Sequence, residues 1–466
     1  MIPILLIAIP LLTGIISFFI GNASAAKGWA LFSSLITLAI MLVNLFGLYK
    51  SDTFSAPWIP VLGASFTVAL DGMSKILCLL TSVSFPIIFI ATYKNEYKNT
   101  GSFYAWMLLS QAGLMGVFVA SDALLFYFFW ELALIPAYFL CSQWGGEKRI
   151  QATFKFFIYT FAGSLLMLVG IIYLYISMPT PSFSIQAFYA LKLSVAQQSW
   201  LFWLFFIAFA IKMPIFPFHT WQPDAYEQSP TAATMVLSGI MVKMGLFAVM
   251  RWLIPIFPQA SHQYAPIVIT LSIIGILYAS LIAMRQDDLK RLIAYASIAH
   301  IGLMCAAIFA NNISSLQGVL IQMFSHGINI IGLWIVVDAI EKQLGTRKMS
   351  ELGGLAIKAP ILTILLIIIA LANIALPLTN AFVGEFLMFN GLFTYNIIAA
   401  AIAGIGIILA AVYTLNMIQK VFYGEQSAVV VKALDINIAV KIALIIIVVL
   451  ILVFGMYAKP LLQLVE

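Results

Sequence analysis

The sequence predicts an all-α polytopic membrane protein of about fourteen transmembrane helices, with two inverted five-helix repeats and two broken helices. Three observations carry that expectation. Of 466 residues, 63% are hydrophobic and 9% charged, with mean hydropathy +1.08, whereas a soluble domain is about 45–50% apolar and about 25% charged. Apolar runs long enough to cross roughly 30 Å of hydrocarbon, about 20 helical residues, recur along almost the whole chain. Two of these runs are interrupted by proline, with an ionisable residue at the break or after it.

Taken in order, the first three spans lie near residues 2–21, 29–48 and 70–93, within an N-terminal segment 1–100. The first imitates a signal peptide, because Ala23, Ser24 and Ala25 follow an apolar stretch. Its missing basic flank and long apolar run read instead as a retained helix. Spans four to eight, near 101–119, 122–143, 152–177, 197–219 and 230–252, form the first repeat, 101–252. Spans nine to thirteen, near 264–284, 288–310, 314–340, 358–392 and 394–419, form the second, 264–420. The last span, near 437–458, lies in a C-terminal segment 421–466. The repeats rest on the breaks: span seven and span twelve are five apart, and an odd count inverts the topology of the second unit.

Orientation follows from the loop lysines and arginines. With the N-terminus outside, fourteen basic residues lie inside, among them Lys148, Arg149, Lys290, Arg291 and Arg347, and four outside: Lys50, Lys192, Arg251 and Lys459. Both termini then face outward. The net charge of +6 is mostly this asymmetry, so it gives no reason to invoke nucleic acid. Cys78, Cys141 and Cys305 stand singly in apolar helices, without metal-ligand spacing. No phosphate-binding glycine loop, haem motif or nucleophile elbow is present. The chain is expected to hold no cofactor of its own, and redox chemistry is assigned to other chains.

Ionisable residues inside helices carry the functional information, because a mid-bilayer charge costs about 2.5–3.5 kcal/mol on insertion scales and usually marks an ion or proton path. Glu131, in FFWELALIPAYFL, lies nine residues into its helix, about 14 Å along the axis. Lys243 lies thirteen residues beyond Pro230, with Ser229 and Pro230 resembling an N-cap and first-turn proline. In span seven, Pro214 and Pro217 free the carbonyls of Ala210 and Met213 beside Lys212. In span twelve, Pro377 frees that of Asn373, with Thr379 and Asn380 able to re-satisfy backbone and Glu385 after the break. His300 and His326 are relay candidates, because an unperturbed histidine titrates at about pH 6.5 and so takes up and releases protons most readily. Against each stands a structural alternative: a carboxylate that ties helices, a snorkelling lysine, a packing kink, a hydrogen-bonded core histidine. Asp71 and Lys75 read as an i,i+4 pair, Lys155 as a proton-uptake or snorkelling lysine, and Asp224 and Glu227 as caps or mouth residues. RQDDLKRLIAY reads as an inner loop or docking surface.

FFWELALIPAYFL, KMPIFPFHTWQPDAYEQSPTAAT, DDLKRLIAYASIAHIGL and NAFVGEF resemble the antiporter-like membrane subunits of respiratory complex I, the proton-translocating NADH:quinone oxidoreductase. Mrp-type antiporter subunits and membrane arms of hydrogenases are similar. The resemblance spans nearly all fourteen helices. It implies a Glu131/Lys212 pair, a central Lys243, relay histidines at His300 and His326, and a terminal group at Glu385, where two sister chains carry lysine. It also implies protons moved through this midplane chain, driven by quinone reduction elsewhere in the complex. The implied partners are other membrane-arm subunits, including antiporter-like sister chains, and lipid. The implied location is a bacterial inner membrane. The chain stops soon after span fourteen, without the long lateral helix of one sister chain. The loop HTWQPDAYEQSP departs from the pattern, which has leucine at Gln222 and histidine at Tyr226. The alternatives are an Mrp-type cation/proton antiporter subunit, a hydrogenase subunit, or a scaffold whose charges only join helices.

Overall fold

The computed structural model describes residues 1–49 and 51–465. Lys50, expected among the outer basic residues, lies outside them. Each of the fourteen predicted spans is helical. Among the described residues, twelve helices are long and apolar enough to cross a membrane. Span one is the shorter Ile2–Ser17, and span twelve is split into Pro360–Asn373 and Asn380–Tyr395.

Short polar residues set the helix starts. Asp122 accepts from the amides of Leu124 and Leu125, Asp288 from those of Lys290 and Arg291, and Asn396 from those of Ile398 and Ala399. Asn312 with Ser315, and Ser194 with Gln197, make reciprocal caps. Each satisfies amides that a helix N-terminus leaves unpaired. Span eight departs from expectation. It begins at Thr231, with Pro230 extended, while Ser229 ends the preceding short helix Trp221–Gln228 and donates to the Ala225 carbonyl at 2.5 Å.

Burial sorts the spans into layers. Spans eight (Thr231–Ile256), ten (Leu289–Ala310) and eleven (Ile313–Leu344) are buried along nearly their whole length. Spans two, six, thirteen and fourteen, Ala23–Leu45, Arg149–Ile176, Ile397–Phe422 and Ile438–Met456, bury one side only. They present Phe32, Phe154, Val169, Ile408 and Val449 outward. An apolar rim around a core that holds the charges is the arrangement a bilayer demands.

One element was not expected from the sequence. Thr53–Ile59 and Ala64–Ala69 form an antiparallel hairpin between spans two and three. Asp122 receives the Ser65 amide at 3.0 Å, which ties the hairpin to the start of span five. The Asp71–Lys75 pair is also corrected. Asp71 turns back to cap the Ser74 amide and pairs with Arg251 at 2.5 Å, whereas Lys75 pairs with Asp52 at 3.0 Å.

Candidate functional site

Lys243 occupies the middle of the 26-residue eighth span and is fully buried. Around it the helix widens: Leu237–Met241 and Val249–Leu253 are π-helical, and the Val242 amide reaches back five residues to the Leu237 carbonyl. Such widened turns are frequent at functional positions. The Lys243 ammonium donates to the Ser238 carbonyl at 2.7 Å and meets His326 Nδ1 at 3.0 Å. His326 comes this close because spans eight and eleven touch through glycine. A Cβ on Gly327 would lie 2.8 Å from the Gly239 carbonyl oxygen, so any side chain there would push the helices apart.

From His326 a series of ionisable side chains continues across the core. The His326 and His300 rings are 5.3 Å apart. His300 Nδ1 stands 3.3 Å from Glu385 Oε1, which also accepts from Gln322 Nε2 at 3.2 Å. All four side chains are at least nine-tenths buried. Gln322 precedes His326 by one helical turn and therefore shares its face. The sequence reading missed it, although i,i+4 spacing to a singled-out histidine was the available signal.

The break in span twelve aims Glu385 inward. Pro377 interrupts the backbone ladder, and Ala375 and Leu378 adopt left-handed φ values of 55° and 73°. Thr379 Oγ1 re-satisfies the Leu376 carbonyl at 2.6 Å, and Ser325 on span eleven donates to the Asn380 carbonyl at 2.9 Å. Asn380 contributes that carbonyl, while its side-chain amide meets no hydrogen-bonding partner among the described residues. Gly384 then lets the second half-helix lie directly against Gln322.

Glu131 and Lys212 form a separate group. Lys212 closes the first half of span seven, Val195–Lys212, and is buried, its ammonium 5.5 Å from the centre of the Trp130 ring. Glu131, the next residue after Trp130, is half-buried, with Oε1 fully enclosed. No ion pair within 4.0 Å joins them among the described residues. Nor does a hydrogen bond join Lys212 to Lys243. The freed backbone of this break is largely taken up: the Ile215 amide donates to the Ala210 carbonyl at 3.2 Å, and the buried Trp221 indole to that of Ile211 at 3.0 Å.

At the ends of these helices lies a clamp of charges. Lys155 pairs with Asp224 at 2.7 Å, and Arg291 with Glu227 at 2.8 Å. Arg347 contacts Glu227, Asp288 and Glu341 at 3.0, 2.5 and 2.9 Å. Burial alone would lower the Arg347 guanidinium, but Asp288 and Glu341 outweigh it and raise it above its ordinary value. A pocket of about 740 Å³ opens here, lined by Glu227, Lys290, Asp338, Glu341 and Arg347. Behind it Gln222 and Tyr226 are fully buried.

Side chains of these types can hold and pass protons. Lysine, histidine and glutamate each take two protonation states, and burial couples the charge of one to its neighbours.

Comparison with known proteins places this geometry. Residues 120–410 match the family model described as NADH:quinone oxidoreductase/Mrp antiporter, transmembrane. NADH-quinone oxidoreductase subunit M of Rickettsia typhi is 40% identical over 370 residues, 79% of this chain and 74% of the relative. F(420)H(2) dehydrogenase subunit M of Methanosarcina mazei is 35% identical over 473 residues, 98% and 95% of the two chains. A chain of respiratory complex I from Thermus thermophilus superposes with TM-score 0.92 at 28% identity, covering 100% of this chain and 98% of that one. The chain belongs to the family of NADH:quinone oxidoreductase and Mrp antiporter transmembrane subunits, in its subunit M branch.

Proposed function

We propose that the chain is an M-type membrane subunit of an NADH:quinone oxidoreductase and moves protons through the buried series Lys243, His326, His300 and Glu385. One observation carries this reading: a series of closely spaced, buried ionisable side chains runs from the centre of span eight to the break of span twelve. A scaffold would have no use for such a series, since each buried ionisable group is costly to insert.

In this reading the clamp around Arg347 is the inner mouth and both termini face outward, as the loop bias of basic residues supports. Lys212 exchanges protons with Lys243 as the charge on Glu131 changes, and Glu385 passes them onward to the outer side. Residues 101–252 and 264–420 act as inverted repeats, supported by a broken helix in the fourth position of each. Quinone reduction elsewhere in the complex drives the cycle, the redox groups belong to other chains, and the membrane-arm partners include antiporter-like sister chains.

The test is native purification in mild detergent followed by an NADH:quinone reductase assay. Co-purifying flavin and iron–sulfur signals with NADH activity are the expected result. A complex that holds this chain but lacks them, and that carries a sodium flux instead, would overturn the reading in favour of an antiporter.

A further inference from the structure

A cavity of about 20 Å³ lies beside Glu385, lined by His300, Glu385 and Tyr413 together with Ile276, Ala403 and Gly406. Tyr413, on span thirteen, is 1% exposed, and its hydroxyl meets no hydrogen-bonding partner among the described residues. His300 Nε2 is likewise buried and without a partner. Both contacts to Glu385, from Gln322 and His300, fall on Oε1, which leaves Oε2 for another donor. A cavity needs roughly 10–15 Å³ and two to four polar neighbours to hold one water. This one meets both conditions, and a buried tyrosine hydroxyl is disfavoured when left unpaired.

We propose that Tyr413 is a positioning residue for proton transfer, holding a single water in this cavity against Glu385. The inference rests on the proton path described above and adds a member from a helix that carries none of its other groups. The Tyr413 hydroxyl donates to the water oxygen and keeps its proton throughout. The water donates to Glu385 when the carboxylate is ionised, and accepts from it when it is protonated. Tyr413 thereby keeps the water oriented in both states, so that a proton leaving Glu385 meets a ready acceptor. Glycine at 406 lets span thirteen come near enough for this, because a Cβ there would lie 2.3 Å from Ile276 Cγ2.

The experiment uses the whole complex reconstituted in vesicles, comparing the wild type with Tyr413→Phe, which removes only the hydroxyl. Infrared difference spectra report the Glu385 carboxyl band, identified by its loss in Glu385→Gln. The expected result is normal assembly, a shifted Glu385 band, and coupled turnover slowed roughly two- to tenfold, the factor one hydrogen bond commands. An assembled Tyr413→Phe complex with an unshifted band and wild-type turnover overturns the proposal. If Tyr413→Phe does not assemble, Ala403→Val decides by filling the cavity while leaving the tyrosine. The same band shift and slowing support the proposal, and wild-type behaviour overturns it. Failure of the wild-type complex to translocate protons would instead count against the function itself, so the two failures are distinguishable.

Discussion

Gly384→Ala perturbs the site without touching a charge. A Cβ on Gly384 would lie 2.9 Å from the Gln322 backbone nitrogen and 3.0 Å from its Cβ. Comfortable contact begins near about 3.5 Å, so the second half of span twelve must retreat by roughly 0.5 Å. The two contacts that hold Glu385, 3.2 Å from Gln322 and 3.3 Å from His300, already lie at the long end for N–H···O bonds. A retreat of that size carries both beyond about 3.5 Å, where they no longer count as hydrogen bonds. Overpacking of this kind costs about 1–3 kcal/mol, which a subunit embedded in a large complex should survive. Losing the Gln322 hydrogen bond at about 1 kcal/mol and loosening the His300 contact slow a step that depends on them by on the order of tenfold. The assay is NADH oxidation by reconstituted complex, with and without an uncoupler, alongside a check of assembly on native gels. The expected outcome is an assembled complex with coupled turnover reduced by about that factor. Assembled complex with wild-type coupled turnover would refute the claim that helix packing at Gly384 positions Glu385.

Further outcomes follow from the same structure. Arg347→Ala leaves Glu227, Asp288 and Glu341 facing each other without their shared cation; thermal unfolding of the purified complex should show a loss of about 1–3 kcal/mol, and an unchanged transition would contradict the clamp. Ala375→Gly relieves a left-handed alanine at φ 55° and should stabilise the break by about 1 kcal/mol with activity unchanged, read from the same melts. Trp221→Phe removes the buried donor to the Ile211 carbonyl; a cost of about 1–3 kcal/mol in the same melts, with lowered coupled activity from the neighbouring Lys212, is expected. Unaltered stability and activity there would mean the indole bond does not support the break.

Spans were legible because a bilayer imposes length and apolarity on each one separately, so local composition suffices. The breaks at Pro214 and Pro377 were legible for the same reason, since proline acts on its own helix. Contacts between helices were less so. Glu385, His300 and His326 stood out as ionisable residues, but their meeting depends on glycines at 239, 327 and 384 whose roles appear only when helices are packed. Gln322 and Tyr413 passed unnoticed because an amide or a phenol in an apolar run carries no charge to flag it. The Asp71–Lys75 expectation failed because capping a helix start competes with i,i+4 pairing and turned Asp71 away. The hairpin at 53–69 escaped notice because two short strands leave a weak signal among fourteen apolar runs.

The most direct test of the central claim is the number of protons moved per NADH oxidised, measured in vesicles for the wild-type complex and for Lys243→Met. Methionine keeps the length and apolar stem of the side chain. It also removes a buried charge whose insertion costs about 2.5–3.5 kcal/mol, so assembly should persist. The account predicts a lower proton-to-electron ratio in the assembled variant, because the series Lys243, His326, His300 and Glu385 loses its first proton carrier. An assembled Lys243→Met complex that moves as many protons per NADH as the wild type would contradict it.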